Sequence, residues 1–379
     1  MESPFVFGQI ARGKAFVNRT QELKHLSDNF QSGINTMIIS PRRWGKSSLV
    51  SKAAAQLNRS QKEIKICHLD LFRVRDENHF FESFAQEVIK ASSGRWQEWM
   101  SSAKDLLGGL VSSISIGADP VNDFSLKLSW NKASKEENAV LDLPEKIAAK
   151  KNIRFVICID EFQKIDEFRD GEFLQQRLRS HWQLQSRTSY CLYGSKRHII
   201  TQLFTSQAMP FYRFGDLIFL GKIGEEHWYK YLKKRFESTG KRIGEDLITD
   251  IIQLTANHPY HIQQLAHYLW RLSNEEASPE LLKKSLDELI LNNEILFRKE
   301  VENLTLLQLN YLEALLNKEK HMNSAEVIHR YQLGSSGNLG TIKSALESKE
   351  IMDFFEKEPV FVNPIFEYWL RNHFFGAHS

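Results

Sequence analysis

Thr36-Met37-Ile38-Ile39-Ser40-Pro41-Arg42-Arg43-Trp44-Gly45-Lys46-Ser47-Ser48 reads as a short strand, a turn built around Pro41 and Gly45, and the opening of a helix. The residues from Ser47 to Leu57 have helix composition, rich in Ala, Lys, Leu and Gln. The spacing from Ser40 to Ser47 is that of a phosphate-binding loop, with Ser40 where its first glycine stands. Successive backbone N–H groups of such a loop form an anion nest at a helix N-terminus. Gly45 lets the backbone approach a phosphate closely. Lys46 is placed to reach β- and γ-phosphates, and the Ser47 hydroxyl suits Mg²⁺. A serine at position 40 is strained if that position needs a positive φ, whereas Pro41 pushes it toward extended backbone. Residues 1–60 carry nine basic and three acidic side chains, a balance of +6. Arg42 and Arg43 put part of that excess inside the loop; the rest reads as surface.

Downstream, Arg154-Phe155-Val156-Ile157-Cys158-Ile159-Asp160-Glu161 is an apolar strand ending in two carboxylates. Residues 64–71, 190–193 and 217–220 read as further strands, and 80–91 and 172–185 as helices. Strands alternating with helices imply an α/β fold, a parallel sheet with helices on both faces. Ligands bind at the carboxyl ends of such strands. Beside a phosphate loop, an aspartate there holds Mg²⁺ and a following glutamate polarises the attacking water. Asp160 is therefore the metal candidate and Glu161 the catalytic base. Asp166 and Glu167 read as surface charges.

The chain has 379 residues, which suggests two or three domains. The α/β reading covers residues 1–222. Within it, residues about 94–150 read as an insert: a helical piece with Trp96 and Trp99 ending at Gly108-Gly109, then a hairpin over 112–116 and 124–128 around Gly117, Asp119, Pro120 and Asn122. Residues 223–300 hold four helix-like stretches, a helical lid. Residues 301–379 hold helices followed by a hairpin turning at Glu356 to Pro359, the pattern of a winged-helix domain. The net charge of +3 is too small for a whole-protein nucleic-acid or membrane field, and no apolar run reaches a membrane span. Cys67, Cys158 and Cys191 lie in apolar strands and form no metal spacing or disulfide set, so a reducing cytoplasm is the simplest location.

These residues resemble an AAA-type P-loop ATPase and, more narrowly, the archaeal-type ATPase family related to the signal-transduction ATPases with numerous domains. The loop Pro41-Arg42-Arg43-Trp44-Gly45-Lys46-Ser47-Ser48-Leu49 is similar to that family's Pro-Arg-Arg-x-Gly-Lys-Thr/Ser-Ser-Leu loop. Phe16-Val17-Asn18-Arg19 with Glu22-Leu23 resembles its N-terminal box, which lies against the adenine; Asn18 replaces a glycine, and both residues tolerate left-handed backbone. The resemblance implies ATP and Mg²⁺ as ligands, with Phe16, Val17 and Arg19 among the nucleotide-binding residues. Tyr193-Gly194-Ser195 looks like the family's sensor, where the Ser195 hydroxyl would orient water or touch the γ-phosphate; a plain Gly-Ser turn is the other reading. Pro210-Phe211-Tyr212-Arg213 is similar to a box whose arginine meets a neighbouring subunit's γ-phosphate, which makes Arg213 a catalytic candidate and leaves both a surface role and the assembly state open. Asn257-His258-Pro259-Tyr260 resembles the lid box in which the proline packs near the base. His258 and His261 read as structural. Phe366, Trp369 and Leu370 resemble the closing segment of the winged-helix domain and read as core.

Three functional readings follow: an ATPase hydrolysing ATP to ADP and phosphate, a slow ATP switch acting on a protein partner, or a replication-initiator-like DNA binder. Residues 301–379 carry seven basic and ten acidic side chains, which disfavours DNA there, because duplex binding needs a basic patch.

Overall fold

The computed structural model describes residues 2–92, 113–117, 125–129, 134–355 and 357–376. The expected helical piece with Trp96, Trp99 and Gly108-Gly109 lies outside them, as do the turn residues Asp119, Pro120 and Asn122, and Glu356. Among the described residues up to 221, the strands are β1 (Thr36–Ile39), β2 (Ile64–Asp70), β3 (Ser113–Gly117), β4 (Ser125–Ser129), β5 (Arg154–Asp160), β6 (Thr188–Tyr193) and β7 (Asp216–Phe219). Five of them form one parallel sheet in the order β2-β5-β6-β1-β7. β3 and β4 pair separately as an antiparallel hairpin, Ser113 opposite Ser129.

The chain divides into two compact units, Arg19–Gly221 and Met1–Asn18 with Lys222–Ser379. In the first, the inner strands β1, β5 and β6 are almost wholly buried, whereas β2 at one end of the strand order alternates, with His68 and Asp70 exposed. Phe155 to Ile159 of β5 are all buried, as a parallel strand covered on both faces requires. The helix Glu77–Ser92 packs Phe80, Phe81, Phe84 and Val88 into this core. The helix Gly171–Trp182 adds Leu174, Leu178 and Trp182, whose ring stacks on Tyr190 with centroids 4.0 Å apart. Each such buried side chain stabilises the fold by about 1.5–3 kcal/mol. Cys67, Cys158 and Cys191 are buried free thiols.

The end of the expected insert belongs to this core. Ser134–Leu141 and Leu143–Lys151 are helices, and Val140, Leu141, Leu143, Ile147 and Ala148 are buried among the sheet residues. Their apolar spacing on successive helical turns is what draws them in.

In the second unit, the N-terminal residues lie on the helix Pro259–Leu272. The Val6 N–H donates to Gln263 Oε1 at 3.1 Å, and Ser3 Oγ sits 2.7 Å from His267 Nδ1. Phe5 is buried with its ring 5.5 Å from Phe236. Residues 1–18, which the sequence places with the α/β domain, cluster in this second unit, where Phe5 and Val17 join its apolar core. Four helices follow the division at residue 222: Glu225–Glu237, Glu245–Leu254, Pro259–Leu272 and Pro279–Glu302. Then come Leu306–Leu316, Ala325–Arg330 and Asn338–Ser348, a two-stranded antiparallel ladder of β8 (Met352–Asp353) and β9 (Val360–Phe361), and the helix Pro364–Trp369. One apolar core runs through all of it. Phe297, near the end of the 24-residue helix, contacts Phe366 at 5.5 Å and Trp369 at 5.6 Å. Phe366, Trp369 and Leu370 are buried.

Candidate functional site

The strand order decides where the chemistry gathers. β1 carries the loop and β5 the acidic pair, and β6 lies between them. All run parallel, so Ser40, Asp160 and Gly194 leave the sheet at the same edge.

The loop is a left-handed nest. Arg43 has φ 63° and Gly45 φ 91°. A Cβ built on Gly45 meets no atom within 4 Å, so the glycine answers a backbone need, not a packing one. Ser40 is not among the positive-φ residues, so the serine in place of the usual glycine carries no left-handed strain. It is buried, and its hydroxyl donates to the Pro41 carbonyl at 3.1 Å. The helix Lys46–Ser60 starts at once, with the Leu49 N–H donating to the Gly45 carbonyl at 2.9 Å. Lys46 and Ser48 are buried, Pro41, Trp44 and Ser47 half-buried, and Arg42 and Arg43 exposed. Arg19 is buried behind the loop. Its guanidinium donates to Glu22 Oε1 at 2.9 Å and to the Trp44 carbonyl at 3.4 Å, fixing the loop backbone. Asn18, at φ 45°, does adopt the left-handed backbone expected where the box has glycine, and Arg19 follows at φ 68°.

The acidic pair faces this loop. Ser47 Oγ donates to Asp160 Oδ2 at 2.9 Å, and Asp160 Oδ1 accepts from the Glu161 N–H at 2.9 Å. Burial pushes the Asp160 carboxyl up to about 6, against the Ser47 hydrogen bond and the charge of Lys46, with Glu161 adding to the rise. A half-buried carboxylate held against a hydroxyl beside a left-handed loop offers oxygen ligands of the kind that hard divalent cations take. Among the described residues no three His, Cys, Asp or Glu side chains gather to hold a metal by themselves.

Glu161 turns the chain. It sits at φ 55°, an uncommon conformation for a residue with a Cβ. The turn Phe162–Glu167 follows, anchored by the buried Phe162 ring edge-on to Phe211 at 4.9 Å. Glu161 Oε2 accepts three hydrogen bonds: from Gln163 Nε2 at 2.5 Å, from Ser195 Oγ at 2.8 Å and from the Ser195 N–H at 3.2 Å. Sequence reading singled out Ser195 but did not find Gln163, a polar residue in a buried turn between Phe162 and Ile165.

Of the remaining candidates, Arg213 lies at the other edge of the same sheet, and Phe16, Val17 and Pro259 belong to the second unit. Arg213 leads into β7 and stands at the amino-terminal edge of the sheet, opposite the loop: Asp216 pairs with Thr36 at the start of β1, not with its end. Arg213 is exposed, at φ 53°, with its guanidinium 5.2 Å from the centre of the Tyr212 ring. Val17 is buried in the core of the second unit and Phe16 half-buried. Pro259 is the first residue of its helix, where a missing N–H costs nothing, and His258 caps it by accepting from the Tyr260 N–H at 3.3 Å. Asn257, which precedes His258, has φ 59°.

No curated protein matches this sequence. Residues 44–169 match the KAP family P-loop domain. Among solved structures, the chain resembles a Walker-type ATPase of Pyrococcus abyssi at 16% identity and a TM-score of 0.67, over 97% of this chain and 99% of that one. The ORC2 protein of Aeropyrum pernix, solved as ADPNP–ADP complexes, follows at 15% and 0.59, over 97% and 96%. The ORC1 protein of Aeropyrum pernix, solved in complex with DNA, stands at 13% and 0.51, over the whole of both chains. No helix among the described residues is long and apolar enough to cross a membrane. The five-stranded parallel sheet with its flanking helices and loop is the α/β fold of the P-loop ATPases.

Proposed function

We propose that this protein binds Mg-ATP at the carboxyl edge of the sheet and hydrolyses it to ADP and phosphate. The observation that carries the reading is the Ser47–Asp160 hydrogen bond, because it brings two metal-ligand oxygens together at a left-handed loop opening a helix. The loop N–H groups and Lys46 bind the β- and γ-phosphates, with Arg42, Arg43 and Ser48 beside them. Ser47 and Asp160 hold Mg²⁺, which when bound neutralises charge on the phosphate oxygens. Glu161 takes a proton from the water that attacks the γ-phosphorus in line, and the β–γ bond breaks with its electrons going to ADP. Arg19 fixes the loop backbone. The resemblance alone would assign Phe16, Val17 and Pro259 to the base, and would have the nucleotide state act on the lid and on the C-terminal helices and hairpin, which we read as a winged helix. Arg213 acts only on a neighbouring copy.

Lys46→Ala is expected to abolish Mg-ATP binding in calorimetry. Glu161→Gln is expected to keep binding within about threefold and to lower turnover at least about a hundredfold. Wild-type turnover in Glu161→Gln would remove the base from this reading; unchanged affinity in Lys46→Ala would remove the site. A second reading, binding to DNA, draws on the ORC1 protein of Aeropyrum pernix, which was solved in complex with DNA. Salt-dependent affinity for duplex DNA would support it, and none at low salt would end it.

A further inference from the structure

The sensor serine and the buried glutamine act on the base itself. All three donors reaching Glu161 converge on one oxygen, Oε2. Two come from Ser195 at the end of β6 and one from Gln163, so the carboxylate is held between two neighbouring strand ends. Gln163 is only 2% exposed, and its Oε1 has no hydrogen-bond partner. An unpaired buried amide oxygen is costly, so the orientation is set by the gain at Nε2. The space is shaped for this amide as well: a Cβ added at Gly194 would lie 1.8 Å from Gln163 Oε1 and 2.9 Å from its Cδ. Glycine at 194 is what lets the glutamine lie against the β6 end and reach Glu161.

We infer that Gln163 and Ser195 are positioning residues that anchor Glu161 Oε2 and so leave Oε1 as the oxygen that takes the proton from water. Ser195 then serves the base and not the γ-phosphate, since both its donors are committed to the carboxylate. A general base works only from a fixed position within hydrogen-bond reach of the water, and a carboxylate free to rotate loses that position. The inference rests on Glu161 being the base.

The test is steady-state and single-turnover hydrolysis by the full chain, with calorimetric titration of a non-hydrolysable ATP analogue and of ADP. Ser195→Ala keeps one donor, the backbone N–H, and is expected to lower kcat about tenfold. Gln163→Leu is expected to lower it about ten- to a hundredfold. Affinity for both nucleotides should stay within about twofold, and Ser195→Thr, which keeps the hydroxyl, should restore most of the rate. In a Glu161→Gln background neither substitution should lower the residual rate further. Melting curves identify any Gln163 variant that fails to fold, and Ser195→Ala then decides alone. Loss of affinity for the ATP analogue but not ADP in Ser195→Ala would overturn the inference, because the serine would be reading the γ-phosphate. Losses that multiply with Glu161→Gln would overturn it as well. Failure of the base assignment itself looks different: Glu161→Gln alone would then turn over like the wild type.

Discussion

The two edges of the same sheet treat their charges in opposite ways. At the carboxyl edge, Asp160 is pushed up to about 6 by burial, and Glu161 occupies a left-handed backbone. At the amino edge, Asp216 is half-exposed: His25 Nε2 lies 2.5 Å from its Oδ2 and Asn29 Nδ2 donates to the same oxygen at 2.8 Å. Burial tends to raise that carboxyl too, but the bonds from Asn29 and His25 outweigh it and hold it below the usual range. A fold arranged for stability alone would treat both carboxylates like Asp216. The carboxyl edge keeps unfavourable charge where a ligand would complete it.

The largest effect expected from this contrast is at Asp160. Its folded pKa of about 6 lies above the usual aspartate value, so the folded state binds the proton more tightly. The stability this confers is complete below the unfolded value and is lost as pH rises to about 6. At pH 7 the ionised carboxylate therefore costs stability, on the order of 1–3 kcal/mol. Asp160→Asn should melt higher than the ligand-free wild type at pH 7.5, with a flatter stability profile between pH 4 and 6, while losing at least about tenfold in Mg²⁺-dependent ATP affinity. A variant that melts lower and binds equally well would erase the contrast.

Asp216 should show the reverse slope. Its folded pKa is depressed, so its contribution is present above the usual aspartate value and is lost as pH falls through the lower folded value. Asp216→Asn should cost less than about 1 kcal/mol at pH 7, the usual worth of an exposed pair, read as a small fall in denaturation midpoint that vanishes in strong acid. Turnover should be unchanged.

Most of the sheet could be read in advance because its strands are short apolar runs bounded by turn residues. The five expected strands fall within two residues of β1, β2, β5, β6 and β7. The loop and Asp160-Glu161 were equally legible, since each follows a strand directly. Gln163 was not, because its meaning depends on β6 lying beside β5, a pairing across sequence that periodicity does not carry. The attachment of residues 1–18 was hidden for the same reason: Val6 meets Gln263, 257 positions away. The helices at 134–151 were a missed signal, because Val140, Leu143 and Ile147 already mark a buried face. The position of Arg213 could also have been read. In a parallel sheet, residues that precede a strand and residues that follow one occupy opposite edges, so an arginine before β7 and a loop after β1 cannot share an edge.

That polarity gives the smallest effect expected and the sharpest use of the comparison. Arg213 rests on Tyr212 at the amino edge of the sheet, and the loop, Asp160 and Glu161 lie at the other edge. Within one chain its guanidinium has no route to the γ-phosphate. Arg213→Ala should therefore hydrolyse ATP within about twofold of the wild type when the protein is dilute enough for light scattering to give a single chain. If turnover per chain rises with concentration in the wild type and not in Arg213→Ala, the amino edge of one copy completes the carboxyl edge of the next, as guanidinium groups do in phosphoryl transfer. A tenfold loss in the dilute variant would mean that the two edges are not independent, and the separation of roles drawn from the strand polarity would fail.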